Sequence, residues 1–98
     1  MDRQGIIARL RGSEADLRAR GVAHAALFGS RARGDDHPGS DIDIMIEIEP
    51  AAPIGLWEYV SLKDYIAGLF SDPVDVVSRE GLKAHVRPTA TFDAVYAF

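Results

Sequence analysis

Cysteine is absent from the 98 residues, which removes disulfides, thiolate metal sites and thiol nucleophiles together. Chemistry is left to carboxylates, hydroxyls, histidines and backbone amides. No apolar run approaches the roughly 20 residues that a membrane span requires. The opening Met1-Asp2-Arg3-Gln4-Gly5 lacks the charged-then-apolar signature of a secretory signal, so a soluble, cytoplasmic protein with no membrane contact is expected. Excess positive charge is missing too. The net charge of −4 argues against nonspecific binding to a phosphate backbone, which needs clustered Lys and Arg to release counterions. No internal repeat and no low-complexity segment interrupts the chain.

What is present is the balance of a globular protein, with 47% hydrophobic and 27% charged residues. A chain of this length forms one domain, residues 1–98, able to bury roughly 60–68% of the surface its unfolded form exposes. It is too short for a second substrate-binding domain, so any large acceptor is expected to be held by a partner. Charge is unevenly distributed. Residues 1–34 carry a net +4, residues 35–75 a net −9 and residues 76–98 a net +1. An acidic middle abuts a basic segment, an arrangement that a solvated face alone would also produce.

Ile6, Ile7, Leu10 and Leu17 recur at helical spacing, and Gly21 suits the C′ position, so one helix is expected from Gln4 to Arg20. Val22 to Phe28, short, apolar and followed by Gly29, reads as a buried strand. Gly29 to Ser40 begins as a tight turn, with room for one helical turn at Arg31–Arg33, and continues as a loop. From Asp41 to Ile48 the chain alternates, with Ile42, Ile44, Ile46 and Ile48 on one face and Asp41, Asp43, Met45 and Glu47 on the other. After a Pro-rich break, Leu56 to about Phe70 marks a second helix, and Val74 to Val77 a third strand. A helical stretch ending before Pro88 should follow Ser78, and Thr91 to Phe98 suits a helical turn running into a short strand. The expected class is α/β (α+β), a small mixed β-sheet covered by helices.

Asp41 and Asp43 lie two residues apart on a strand, so their carboxylates project from one face about 6.6 Å apart at the backbone. Paired Mg²⁺ ions in phosphoryl-transfer sites sit about 3.5–4 Å apart with metal–oxygen distances of about 2.0–2.1 Å, so carboxylates at this spacing can bridge them. Asp75, between Val74 and Val76 in a run short enough to be a buried strand, could add a third carboxylate if that strand pairs beside the aspartates. Upstream, the first strand passes directly into Gly29-Ser30. There a glycine permits close approach of backbone amides to a phosphate and a hydroxyl adds a donor, while Arg31 and Arg33 can contribute charge-assisted hydrogen bonds. Taken singly, the aspartates could line the solvent side of a strand, Gly29-Ser30 could be an ordinary turn, and the arginines could be a solvated pair.

Together these residues resemble a family. Gly29-Ser30, ten intervening residues and Asp41-Ile42-Asp43 resemble the signature of the polymerase-β-type nucleotidyltransferase superfamily. Leu27-Phe28-Gly29-Ser30-Arg31-Ala32-Arg33-Gly34 with Ser40-Asp41-Ile42-Asp43-Ile44 looks like its minimal nucleotidyltransferase branch, MNT. The likeness continues through Pro53-Ile54-Gly55-Leu56 and Val74-Asp75-Val76-Val77 to Glu80-Gly81-Leu82-Lys83. It implies a nucleotidyltransferase fold in which Gly29 and Ser30 hold a triphosphate. Asp41 and Asp43 would bind two Mg²⁺ ions, and Asp75 would bind one of them and activate the attacking hydroxyl. Arg31 and Arg33 are further nucleotide-binding candidates. Because members of this branch are commonly antitoxins paired with HEPN ribonuclease toxins, the resemblance implies transfer of AMP from ATP to a tyrosine of such a partner. Trp57, Tyr59 and Tyr96 are candidate contacts, although core packing is the favoured reading of Trp57.

Other readings fare worse. Gly29 to Gly34 has P-loop spacing, but Asp35-Asp36 stand where Lys and Ser or Thr belong. Asp41 to Met45 lacks the third ligand and loop glycine of an EF-hand. His24, His37 and His85 have no zinc-site spacing and receive no role. The main rival is an antitoxin of the same fold that neutralises by contact alone. A stand-alone transferase acting on RNA ends or small molecules ranks below it.

Overall fold

Asp2 begins the first helix, where its Oδ1 accepts from the Gly5 amide at 2.8 Å and satisfies one donor that a helix N-terminus leaves unpaired. The structure, a computed structural model, describes residues 1–34, 41–81 and 93–98. Helix α1 spans Arg3–Gly12 and buries Ile6, Ile7 and Leu10. The single helix expected up to Arg20 is in fact two, because α2 begins afresh at Glu14–Ala19 and buries Leu17. The break falls at Gly12-Ser13. Glycine carries the larger entropy cost in a helix and serine competes for backbone hydrogen bonds, and Ser13 leaves helical geometry at φ −103°, ψ 8°. Gly21, at φ 99°, stands at the C′ position of α2 and turns the chain into the sheet.

Strands β1 (Val22–Phe28), β2 (Ile42–Ile48), β3 (Val74–Ser78) and β4 (Val95–Tyr96) form one mixed sheet in the order β3-β2-β1-β4. Strand β1 is antiparallel to β2 and β4, while β2 and β3 are parallel. The short helix α3 (Ser30–Arg33) follows β1, and α4 (Leu56–Ala67) lies in the connection that returns the chain from β2 to β3. Ile42, Ile44 and Ile46 are fully buried in one core with Leu10, Leu17, Leu62 and Ile66. Each such side chain contributes about 1.5–3 kcal/mol relative to an exposed one.

Four further sequence expectations need adjustment. Met45, on the acidic face of β2, is 1% exposed, because β2 is a central strand and Met45 stands between Ala26 of β1 and Val77 of β3. Helix α4 stops at Ala67, with Gly68 at its end, although Phe70 still reaches the core. Trp57 is 81% exposed and Leu56 71%, so α4 builds its core face from Leu62 and Ile66 instead. The helical stretch expected after Ser78 starts as one 3₁₀ turn, Arg79–Gly81. Its continuation to Pro88, the loop over 35–40 and the helical turn at 91–92 lie outside the described residues. Among the described residues, no helix is long and apolar enough to cross a membrane.

Candidate active site

The end of β1 and the starts of β2 and β3 meet at one end of the sheet, because β1 runs against β2 and β3 runs with it. In the ladders Asp43 pairs with Phe28 on one side and Asp75 on the other. Directly paired residues share a face, and adjacent strands lie about 4.8 Å apart, so Asp43 and Asp75 stand side by side. Asp41, one residue before β2, is exposed and lies two positions from Asp43. Asp75 is also exposed. The expectation that it sits in a buried strand is therefore corrected: β3 is an edge strand, and register rather than burial brings this carboxylate to the others.

Burial raises the Asp43 carboxyl above its ordinary value. Asp75 and then Asp41 push it the same way, and Arg33 opposes them. The three aspartates and Arg33 thus share one electrostatic neighbourhood. Gly29 closes it from above. At φ 77°, ψ −157° it occupies backbone space essentially reserved for glycine, and an added Cβ would strike the Asp43 carboxylate, whose Cγ would lie 3.2 Å away. Its carbonyl accepts from the Ala32 and Arg33 amides at 3.1 Å each, starting the turn that Ser30 enters.

The two arginines of the turn diverge. Arg33 is 45% exposed and pairs with Asp93 at 3.1 Å. The Arg31 side chain is only 10% exposed, donates from Nη1 to the Met1 carbonyl at 3.0 Å and lies 3.4 Å from Asp72 Oδ2. Arg3 Nη1 donates to the Ala32 carbonyl at 3.0 Å. Neither Asp72 nor Arg3 carries a local sequence signal, since their partners lie 41 and 29 positions away.

Among the described residues no three His, Cys, Asp or Glu side chains gather closely enough to hold a metal unaided. The carboxylates are nonetheless of the right kind. Mg²⁺ takes oxygen ligands and is commonly held by one or two carboxylates completed by water and substrate phosphates, and the crowding that raises Asp43 is what a cation would relieve. His24, exposed, has Nδ1 3.3 Å from the Phe98 carbonyl and meets Tyr96 edge-on at 6.2 Å; His37 and His85 lie outside the described residues. The Tyr96 hydroxyl donates to Glu47 at 2.8 Å. A concavity of about 660 Å³, lined by Arg20, Ala52, Ile54, Trp57 and Leu62 among others, lies between α2 and α4 and includes none of the three aspartates.

The profile of the nucleotidyltransferase domain matches residues 10–97. Protein adenylyltransferase MntA of Thermococcus cleftensis is 33% identical over 82 residues, covering 83% of this chain and 81% of that protein. A solved structure provisionally named a minimal nucleotidyltransferase superposes with a TM-score of 0.78 at 29% identity, covering 97% of this chain and 95% of that one. A chain from a complex of tri-AMPylated Shewanella oneidensis HEPN toxin with MNT antitoxin gives a TM-score of 0.61 at 18% identity, covering 90% of this chain and 68% of that one, a likeness of fold.

Proposed function

The chain belongs to the nucleotidyltransferase domain family, in its minimal branch, and from that premise we propose that it is a Mg²⁺-dependent protein adenylyltransferase. It moves AMP from ATP onto a tyrosine hydroxyl of a HEPN-type ribonuclease toxin and so acts as an antitoxin in the cytoplasm. The observation that carries this reading is the pairing of Asp43 with Asp75 across β2 and β3, beside the glycine that closes over Asp43.

In this reading Gly29 and Ser30 receive the triphosphate, and Arg33, partly exposed and close enough to act on Asp43, neutralises phosphate charge. Asp41, Asp43 and Asp75 are the residues that would hold the Mg²⁺ ions. Bound there, the cations supply charge stabilisation at the entering and leaving oxygens. Asp75, exposed on the edge strand, is open to an incoming acceptor and takes the hydroxyl proton. The tyrosine oxygen bonds to the α-phosphorus, the bond from that phosphorus to the bridging oxygen breaks, and pyrophosphate leaves.

The MntA relative carries the adenylyltransferase name, which supports AMP as the transferred group. The partner supplies the acceptor hydroxyl. A second reading, neutralisation by contact alone, draws on the exposed Leu56 and Trp57, apolar side chains of the type that anchor interfaces. One experiment separates the two. The chain and its partner are incubated with labelled ATP and Mg²⁺, and wild type is compared with Asp41→Asn. Label on the partner, lost in the variant together with neutralisation, is expected. No label, with neutralisation undiminished in the variant, decides for contact.

A further inference from the structure

We propose that Arg31 is a positioning residue, which braces the Gly29-Ser30 turn against the strands that carry the aspartates. The proposal rests on the transferase reading and gives one residue of that site a distinct role. A helix of four residues, such as α3, cannot hold itself, because helix formation needs several turns to offset the cost of its nucleus. Its place over Asp43 must be fixed from outside.

Arg33 ties the end of α3 to Asp93, and two further arginines connect the helix to the N-terminus and to the segment before β3. Arg31 reaches out of the turn to the Met1 carbonyl at 3.0 Å and to Asp72 Oδ2 at 3.4 Å. Arg3 reaches into it, donating to the Ala32 carbonyl at 3.0 Å. Asp72 is itself anchored where it matters: the carbonyl of the next residue, Pro73, accepts from the Ile42 amide at 2.9 Å, between Asp41 and Asp43. The path Gly29–Arg31–Asp72–Pro73–Ile42 therefore joins the turn to the carboxylate strands by contacts distant in sequence. With its side chain nine-tenths covered, Arg31 is placed as a strut, whereas the more exposed Arg33 faces the charges around Asp43.

The test is a double-mutant cycle on the full chain, with Arg31→Gln, Asp72→Asn and both together. ATP KM and kcat are measured in Mg²⁺ with the partner. Amide hydrogen exchange over Ser30–Gly34 and over β2 is measured without nucleotide. Each single variant should lower kcat/KM about tenfold, with the double variant no worse than the poorer single one. Exchange should accelerate in the turn while β2 stays protected. A phosphate ligand would behave differently: Arg31→Gln would raise KM alone, Asp72→Asn would leave both constants at wild-type values, and the losses would add. That pattern overturns the proposal. So does unchanged exchange in the turn, or exchange accelerated across β2 alike, which would mark a general structural role. If the wild type transfers nothing, the transferase reading falls, and the exchange measurement still decides whether Arg31 braces the turn.

Discussion

The Asp43 carboxylate fills the space that a side chain at residue 29 would need, so Gly29 is required twice, by its φ of 77° and by its neighbour. Gly29→Ala is expected to cost about 1–3 kcal/mol in stability and to reduce nucleotide transfer far more than that loss explains, because the collision displaces Asp43. Gly34→Ala is the control. Its φ of 80° is also positive, but among the described residues an added Cβ would meet nothing within 4 Å, so it should lose stability with transfer largely kept. Denaturant melts alongside single-turnover rates check the pair.

Asp43 stands among like charges in a half-buried place. In metal-free protein, Asp43→Asn should therefore raise stability, on the order of 1 kcal/mol for one relieved pair in a water-like medium, while abolishing transfer. A melting temperature lowered by this substitution would contradict the account of repulsion.

The same crowding sets a pH dependence. The folded Asp43 keeps its proton to a higher pH than the ordinary value of 3.8. Its contribution to stability is therefore whole below the unfolded value and drains away as pH rises through the raised folded one. Metal-free wild type should lose stability over that interval relative to Asp43→Asn, in melts taken across the carboxylate range. Mg²⁺ should reverse the loss and raise the melting temperature, more so with ATP present, and an equal Mg²⁺ shift in Asp43→Asn would count against a metal at this position.

Trp57 is 81% exposed, so Trp57→Ala should change stability by no more than about 0.5 kcal/mol. If its surface receives the partner, the same substitution should weaken the complex by at least about 2 kcal/mol, as read by calorimetric titration. Unchanged affinity would place the interface elsewhere.

The strands were legible because alternation and flanking breaks are local: Ile42, Ile44 and Ile46 all sit in the core expected of them. The turn at Gly29-Ser30 was legible for the same reason. The break at Ser13 was not, since Leu10 and Leu17 keep helical phase across it and conceal the discontinuity. Period two assigns Met45 to a face but does not reveal that this face is covered at the sheet's centre. Trp57 misled because composition measures apolarity and not orientation. Asp75 was found for a partly mistaken reason, since its strand lies at the edge and register with Asp43 brings it in. The tie from Arg31 to Asp72 spans 41 positions, and no local pattern encodes it.

The parallel pairing of β2 with β3 sets an order of assembly. Thirty-two positions separate Asp43 from the residue beside it on β3, and helix α4 lies within that interval. A growing polypeptide that has laid down only β1 and β2 holds two acids and no third, and the carboxylate trio comes into existence when the crossover docks. Cation affinity should therefore appear late in folding, as a signal that the edge strand beside β2 has taken its place.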